Sequence, residues 1–119
     1  MIRDYVDGYN SFDVEKMIAN LDSNVKFENI SNGLTNISLD GLDSFKAQAD
    51  QVKKLFSLRK QTIKSFSHKD DETEIEIDYY AVLATDIPSG QKKGDELNLE
   101  GKSIFQFSGD KIIALTDIS

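Results

Sequence analysis

The segment from Leu97 to Ile118, LNLEGKSIFQFSGDKIIALTDI, constrains the fold most, because its pattern is typical of one long β-hairpin. Two apolar, strand-forming runs flank the sequence Ser108-Gly109-Asp110-Lys111. A glycine beside an aspartate between such runs is a strong hairpin signal, because glycine adopts positive φ without penalty. An isolated hairpin is only marginally stable in water. We therefore expect the rest of the chain to supply the elements that pack on it.

The N-terminal third of the chain has helical spacing. Apolar and aromatic side chains recur at Ile2, Tyr5, Val6 and Tyr9, which predicts a first helix. Asp13 is a good N-cap for a second helix from Val14 to Leu21. A third helix is predicted after Asp40, which we expect to be its cap; its apolar stripe is Leu42, Phe45, Ala49, Val52 and Phe56.

The remaining segments favour strands. A short strand around Val25 to Ile30 is followed by Asn32-Gly33, a second hairpin signal. Leu58 to Ser67 is a weaker strand with a predicted bulge, because Ile63 and Phe66 are out of phase. A polar turn (residues 67–72) precedes a long strand from Thr73 to Thr85. The expected inward residues of that strand are Ile75, Ile77, Tyr79, Ala81 and Leu83.

This order of elements predicts an α+β fold with a strongly bent, mostly antiparallel sheet around the N-terminal helices. The Asp86 to Glu96 segment is predicted to be a long loop. No linker or repeat divides the 119 residues, so we expect a single domain over residues 1–119. A sheet curled around helices leaves a cone with an apolar mouth, where a small ligand can bind.

Composition limits the functional classes. The formal net charge of −7 argues against nucleic acid and against anionic membranes, which both require clustered lysine and arginine. The chain has no cysteine, which excludes disulfides and thiolate chemistry. The first ten residues carry charges and no apolar signal-peptide core, so we expect a cytoplasmic protein with no membrane association.

Four segments resemble the NTF2-like superfamily, in its SnoaL-like and ketosteroid-isomerase-like branch. They are YVDGYNSFDVEKMIANL (5–21), LDSNVKFEN (21–29), LDGLDSFKA (39–47) and GKSIFQFSGDKI (101–112). The resemblance implies an NTF2-like cone, a pocket between the helices and the concave sheet face, and a dimer. The family includes isomerases, cyclases, dehydratases and non-catalytic binding domains, so the fold does not decide the function.

The resemblance also assigns positions in the ketosteroid-isomerase mechanism. Tyr5 falls where those enzymes have a tyrosine that donates to the developing enolate oxygen. Asn29 stands at the place of their general-base aspartate, and an amide cannot abstract a proton. Ser103 stands at the place of their second, protonated aspartate. Ketosteroid isomerisation by that mechanism is therefore not expected.

Strand phasing and the resemblance together predict the candidate site. Tyr5 and Asp117 are the candidate catalytic residues, since a carboxylate in an apolar pocket has a raised pKa and can act as acid or base. The alternatives are that Tyr5 only fills the core and that Asp117 is an exposed strand-end residue. The candidate ligand-binding residues are Tyr9, Phe27, Asn29, Tyr79, Ser103, Phe105, Leu115.

Metal and cofactor chemistry has little support in the sequence. His68 is the only histidine, and it lies in the predicted polar turn. The run Asp70-Asp71-Glu72 is more typical of a solvated surface than of a cation site. We expect no metal and no cofactor.

Two functions remain open. One is a cofactor-free isomerase, cyclase or lyase that acts on an apolar oxygenated substrate, with Tyr5 polarising a carbonyl. The other is a non-catalytic binding or dimerisation module. For both we expect a homodimer through the convex sheet face, because soluble monomers rarely expose large apolar patches. The residues predicted for that interface are Tyr80, Val82, Ile104, Gln106 and Ile112.

Overall fold

The computed structural model of the protein describes residues 1–88 and 90–119; Ser89, in the predicted Asp86 to Glu96 loop, lies outside them. The helices are α1 (Ile2–Asn10), α2 (Val14–Ile18) and α3 (Leu42–Val52), and a 3₁₀ turn (Lys53–Leu55) follows α3. The strands are β1 (Leu21–Ser31), β2 (Leu34–Asp40), β3 (Phe56–Lys69), β4 (Glu72–Leu83), β5 (Glu96–Ser108) and β6 (Lys111–Ile118). The predicted α+β class is confirmed.

The six strands form one sheet in the order β2-β1-β6-β5-β4-β3. Neighbouring strands are antiparallel except β1 and β6, which are parallel. The bent sheet wraps around the helices, and its concave face forms the core with them. Tyr5 and Val6 of α1 and Phe45 of α3 pack there against buried residues of β4, β5 and β6. The predicted bent, mostly antiparallel sheet around N-terminal helices is therefore confirmed.

Two tight turns set the strand register. Asn32 and Gly33 have φ of 54° and 80°, the left-handed region that a two-residue hairpin requires, so β1 and β2 pair directly. Gly109 has φ of 60° in the turn between β5 and β6. Both predicted hairpins are confirmed, and the β5–β6 hairpin lies near the centre of the sheet.

Helix boundaries differ from the prediction at three places. One is the end of α3 at Val52, because Phe56, expected in the stripe of that helix, begins β3. The Asp13 side chain caps α2 by accepting the Lys16 backbone N–H, as expected, but α2 ends at Ile18. Leu21 instead begins β1 and is buried in the core, because it pairs with Ile112 in the parallel β1–β6 ladder. The cap of α3 is Gly41 with φ of 93°, a conformation that favours glycine over Asp40.

The long β3–β4 hairpin follows the predicted phase. Its register skips Lys64 in β3, which confirms the bulge expected from Ile63 and Phe66. The predicted inward residues of β4 are buried or half-buried. The turn is shorter than expected, however, because β3 extends through His68 to Lys69. His68 is therefore a strand residue, and its Nδ1 lies 2.6 Å from Thr73 Oγ1.

A bulge in β6 corrects the prediction for the convex face. Ile112 was expected on that face, but it is fully buried in the core, with 0% of its surface exposed. Ile113 was expected to point inward and is 37% exposed. The ladder pairs Phe107 with Ile112 and Gln106 with Ala114, so it skips Ile113. One extra residue at this point reverses the period-two phase on either side of it.

No helix in residues 1–88 and 90–119 combines the length and the apolar character that crossing a lipid bilayer requires.

Gly8 allows α1 and α2 to approach closely. A Cβ atom at Gly8 would lie 2.8 Å from the Met17 backbone nitrogen and 2.9 Å from the Asp13 carbonyl oxygen. Gly8→Ala should therefore lower the free energy of unfolding by about 2 kcal/mol, although alanine is the better helix former. Urea denaturation measures the change. The control is Asp7→Ala on the exposed side of α1, and equal stability of the two variants would contradict this packing.

Candidate functional site

A cavity of about 320 Å³ lies between α1, α3 and the concave face of the sheet. This volume is at the lower end of the range for small-molecule sites, roughly 300–1,000 Å³. Most of its lining is aromatic or aliphatic. Seven of the nine predicted site residues border it: Tyr5, Tyr9, Phe27, Asn29, Tyr79, Ser103 and Asp117. The cone thus encloses a space that is large enough for a small ligand.

Asp117 is a half-buried acidic residue in the lining of this cavity. It lies on β6 between Asn29 of β1 and Ser103 of β5, which are its partners in the two ladders. The Ser103 hydroxyl donates a hydrogen bond of 2.6 Å to Asp117 Oδ1. Desolvation of the carboxyl group raises the pKa of Asp117 to about 6, although the Ser103 hydrogen bond opposes the shift. The carboxyl can therefore exchange a proton near neutral pH.

Tyr5 projects from α1 into the same part of the cavity. Its ring packs edge-on against Phe105, with 5.7 Å between centroids, and contacts Phe45 at 6.4 Å. Tyr5 is in the lining of the cavity, and no hydrogen bond of its hydroxyl is found among the described residues. Burial first, and the nearby Asp117 charge second, raise the pKa of Tyr5 well above its usual value. The hydroxyl therefore stays protonated and can act as a hydrogen-bond donor.

Phe105 and Leu115, two of the predicted ligand-binding residues, are not in the lining of this cavity. Both are fully buried in the core. Phe105 contacts the ring of Tyr5 edge-on, so it helps to hold the first of the predicted catalytic residues in place.

Asn29 is the neighbour of Asp117 in the β1–β6 ladder, but its side chain is bonded to β2. Its side-chain amide donates a 2.9 Å hydrogen bond to Asn36 Oδ1 on β2, at an exposed site. The β1–β2 register is irregular just after Asn29, which brings the two amides together. Phe27 packs edge-on against Phe45 at 5.3 Å and closes the neighbouring wall.

Tyr9 and Tyr79 form a pair on another wall. The Tyr9 hydroxyl donates a 2.8 Å hydrogen bond to the Tyr79 hydroxyl. Burial raises the pKa of both tyrosines, and donation to Tyr79 adds to the shift for Tyr9. The pair therefore contributes neutral hydroxyls to an otherwise aromatic surface. Phe56 belongs to the same surface and packs edge-on against Tyr79, with 6.4 Å between ring centroids.

Two polar residues of β3, Arg59 and Gln61, border the cavity and were missed by the sequence analysis. Both are buried, and both lie on the concave face. The signal that could have identified them was the phase of Ile63, because residues two and four positions earlier share its face. Leu58 obscured that signal, since an apolar residue suggests the inner face, yet Leu58 is 49% exposed.

Arg59 is a buried cation that is held by α1. Its Nε donates a 2.7 Å hydrogen bond to the carbonyl oxygen of Tyr9 in the last turn of that helix. The guanidinium carbon lies 3.8 Å from the ring centroid of Tyr9 and 4.8 Å from that of Phe12. None of the ion pairs found among the described residues involves Arg59. Its charge is therefore stabilised by two aromatic faces and a helix C-terminus.

The remaining sequence candidates lie outside the cavity. His68 stacks on Phe66, with 6.4 Å between ring centroids, at the exposed end of the β3–β4 hairpin. Asp70 and Asp71 form the turn of that hairpin. Within the described residues, no three acidic or histidine side chains converge as metal ligands.

Comparison with known proteins identifies the fold. No protein-family model and no curated protein sequence matches this chain. Solved structures match over nearly the whole chain. A protein from Xanthomonas campestris that is proposed to be a polyketide cyclase has a TM-score of 0.81 and 16% identity, over 99% of this chain and 86% of that one. IdmH from Streptomyces antibioticus, also proposed to be a polyketide cyclase, has a TM-score of 0.80 and 10% identity, over 98% and 87%.

A third similar structure names the superfamily. An NTF2-like protein of unknown function from Burkholderia pseudomallei has a TM-score of 0.75 and 13% identity, over 98% of this chain and 85% of that one. The chain has the NTF2-like fold, as its resemblance to that superfamily implied. At these identities the similarity concerns the fold, and the function has to be argued from the cavity.

The contacts of Arg59 lead to a stability prediction. Arg59→Lys removes the planar group that stacks on two rings and also donates to the Tyr9 carbonyl, so it should lower the free energy of unfolding by about 2 kcal/mol. Urea unfolding measures the loss. The control Lys60→Ala, on the opposite and exposed face of β3, should change stability by less than about 0.5 kcal/mol. A loss at Arg59 no larger than at Lys60 would contradict the stacking argument.

Proposed function

We propose that this protein binds a small, apolar, oxygenated molecule in the cavity and acts on it without a cofactor, as a SnoaL-like isomerase, cyclase or lyase. The observation on which the proposal rests is the placement of Asp117. Its carboxyl is in an apolar cavity, has a pKa of about 6, and lies near the unpaired hydroxyl of Tyr5. The similarity to two proposed polyketide cyclases supports the same class of reaction.

The two groups have complementary roles in this proposal. At neutral pH Asp117 is mostly ionised but more basic than an exposed aspartate, which suits a general base that removes a proton beside a carbonyl. The Tyr5 hydroxyl donates to the carbonyl oxygen, where negative charge develops. Ser103 orients the carboxylate through its 2.6 Å hydrogen bond. The proton taken by Asp117 returns to another atom of the same substrate, so that no external acid is consumed.

The pairing of the strands explains how the acidic residue of this site can lie on a different strand from the acidic residues of the ketosteroid isomerases. Their two aspartates correspond, by the resemblance, to Asn29 and Ser103. Asn29, Asp117 and Ser103 are consecutive neighbours across β1, β6 and β5. The acidic group of this chain therefore lies on the central strand of that row, and the flanking strands have an amide and a hydroxyl.

The alternative function is a non-catalytic binding or dimerisation module. The observation in its favour is that the other lining carboxylate in the described residues, Glu100, is exposed, so Asp117 has no buried acidic partner. Proton transfer with one group requires that the same residue both removes and returns the proton. A ligand that is bound but never turned over would favour this alternative.

The raised pKa of Asp117 has a consequence for stability. The pKa of Asp117 is about 6 in the folded state, against an ordinary value of 3.8. The contribution of Asp117 to the free energy of unfolding is therefore fully present below pH 3.8 and is lost as the pH rises through 6. At 1.36 kcal/mol per pKa unit this corresponds to roughly 3 kcal/mol. Asp117→Asn should therefore become more stable relative to the parent, by up to roughly that amount, between about pH 4 and about pH 8.

Urea denaturation of the parent and of Asp117→Asn across this pH range measures the difference. The control is Asp110→Asn, which makes the same change at an exposed residue of the β5–β6 turn. If the free energy of unfolding of the two variants has the same pH dependence, Asp117 is not desolvated. Its proposed role as acid or base would then be wrong.

We also propose that residues 1–119 act as a single cytoplasmic domain that forms a homodimer through the convex sheet face. The residues that remain for that interface are Tyr80, Val82, Ile104 and Gln106, since Ile112 is buried in the core. Tyr80, Val82 and Ile104 are half-buried, and Gln106 is exposed. A two-fold axis would let this face meet its own copy, which is the commonest closed assembly.

Ile104→Glu tests the dimer. At the centre of a dimer interface an unpaired carboxylate would be buried, so the variant should be monomeric or insoluble. Light scattering gives the mass of the parent and of the variant. The control is Ala47→Glu, which introduces the same charge on the exposed side of α3. A monomeric parent well above micromolar concentration would end the proposal.

A further inference from the structure

Gln61 has a buried acceptor without a partner. The residue is 8% exposed, and its Oε1 makes no hydrogen bond to any described residue. Its backbone is satisfied by Asn10, whose Oδ1 accepts from the Gln61 N–H at 2.7 Å and whose Nδ2 donates to the Gln61 carbonyl at 3.1 Å. A buried polar atom without a partner lowers stability. A leucine at this place would avoid that loss, so the amide calls for a functional explanation.

The position of Gln61 in the cavity wall indicates that its amide contacts a ligand. The residue borders the cavity and is paired with Tyr79 across the β3–β4 ladder. It is three strands away from Asp117, in a sheet where strands are about 4.8 Å apart. The two groups therefore lie on different strands of the wall of one cavity.

Arg59 supplies the complementary donor. It lies two residues before Gln61 on the same face of β3, a spacing of about 7 Å along the strand. It is 2% exposed and also borders the cavity. Its Nε is bonded to Tyr9, but the partner of Nη2 is the Met17 sulfur at 4.0 Å, a weak acceptor. A buried guanidinium with this bonding can still donate to a ligand oxygen.

We propose that Gln61 and Arg59 form a hydroxyl-binding subsite, in which a ligand hydroxyl donates to Gln61 Oε1 and accepts from the Arg59 guanidinium. A hydroxyl fits because it is donor and acceptor at once. An ammonium group does not fit, because the Arg59 charge repels it. The ligand is therefore an apolar ring molecule with a hydroxyl at the end remote from the group that meets Asp117. This inference rests on the proposed function and specifies its ligand.

Two probes of nearly the same shape test the subsite. 2-Naphthol has a hydroxyl, which can donate and accept a hydrogen bond. 2-Methoxynaphthalene has an ether oxygen at the same position, which can only accept one. Dissociation constants are measured by fluorescence titration for the parent, for Gln61→Leu and for the control Gln48→Leu, which makes the same change on α3 in the lining of the same cavity. Gln61→Met repeats the test if the leucine variant does not fold.

The parent should bind 2-naphthol about tenfold more tightly than 2-methoxynaphthalene, as one hydrogen bond allows. Gln61→Leu should remove this preference by weakening the binding of 2-naphthol alone, and Gln48→Leu should keep the preference. In the absence of ligand, Gln61→Leu should also raise the melting temperature by a few degrees, because the unpaired acceptor is gone.

Three results would overturn the inference. If Gln61→Leu keeps the preference, the hydroxyl binds elsewhere, for example at Asp117, and the proposed function stands without this subsite. If both glutamine variants lose the preference equally, the effect is not specific to Gln61. If the parent binds neither probe, the cavity does not take small ring ligands, and the proposed function fails together with the subsite.

Discussion

The buried guanidinium of Arg59 joins the helical layer to the sheet, and the rest of the site depends on that junction. Its hydrogen bond to the Tyr9 carbonyl fixes the C-terminal end of α1, and the guanidinium stacks on the Tyr9 ring. Tyr9 in turn meets Tyr79 of β4 through their hydroxyls. Because Tyr5 is one helical turn before Tyr9, the same anchor sets the depth at which the Tyr5 hydroxyl enters the cavity. A buried cation requires such a rigid shell, so the burial of Arg59 and the order of the cavity wall are coupled.

A second constraint acts through the bulge in β6. Ile112 and Leu115 are both buried in the core, although an unbroken strand would place residues three apart on opposite faces. The extra residue at Ile113 resolves this conflict by resetting the phase. Leu115 and Asp117 then share the concave face, and Asp117 enters the cavity between Asn29 and Ser103. Without the bulge, burial of Ile112 would direct Asp117 to solvent.

The sequence was sufficient for those parts of the structure that local chemistry determines. Asn32-Gly33 and Gly109 specify their turns because few residues accept positive φ, and Asp13 specifies its cap. Period-two phasing correctly gave the inner face of β4, since Ile75 and Ile77 alternate with acidic residues. It failed at Ile112, where a bulge shifted the phase, and at Arg59 and Gln61, where polar residues point inward. These failures have two causes. Hydrophobic alternation does not show where a bulge resets the phase, and it cannot identify an inward polar residue, which occurs at sites where function competes with packing.

Two groups on the cavity wall are unfavourable for stability. Asp117 has a desolvated carboxyl, and Gln61 has an acceptor with no partner among the described residues. A purely structural core would be more stable with apolar residues of the same size, because an unsatisfied buried polar group lowers stability by about 1–3 kcal/mol. A ligand that pairs with both groups would return that free energy on binding and would stabilise the fold by mass action. The same polar groups that lower the stability of the fold thus indicate where a ligand that the cavity binds well would have its oxygen atoms.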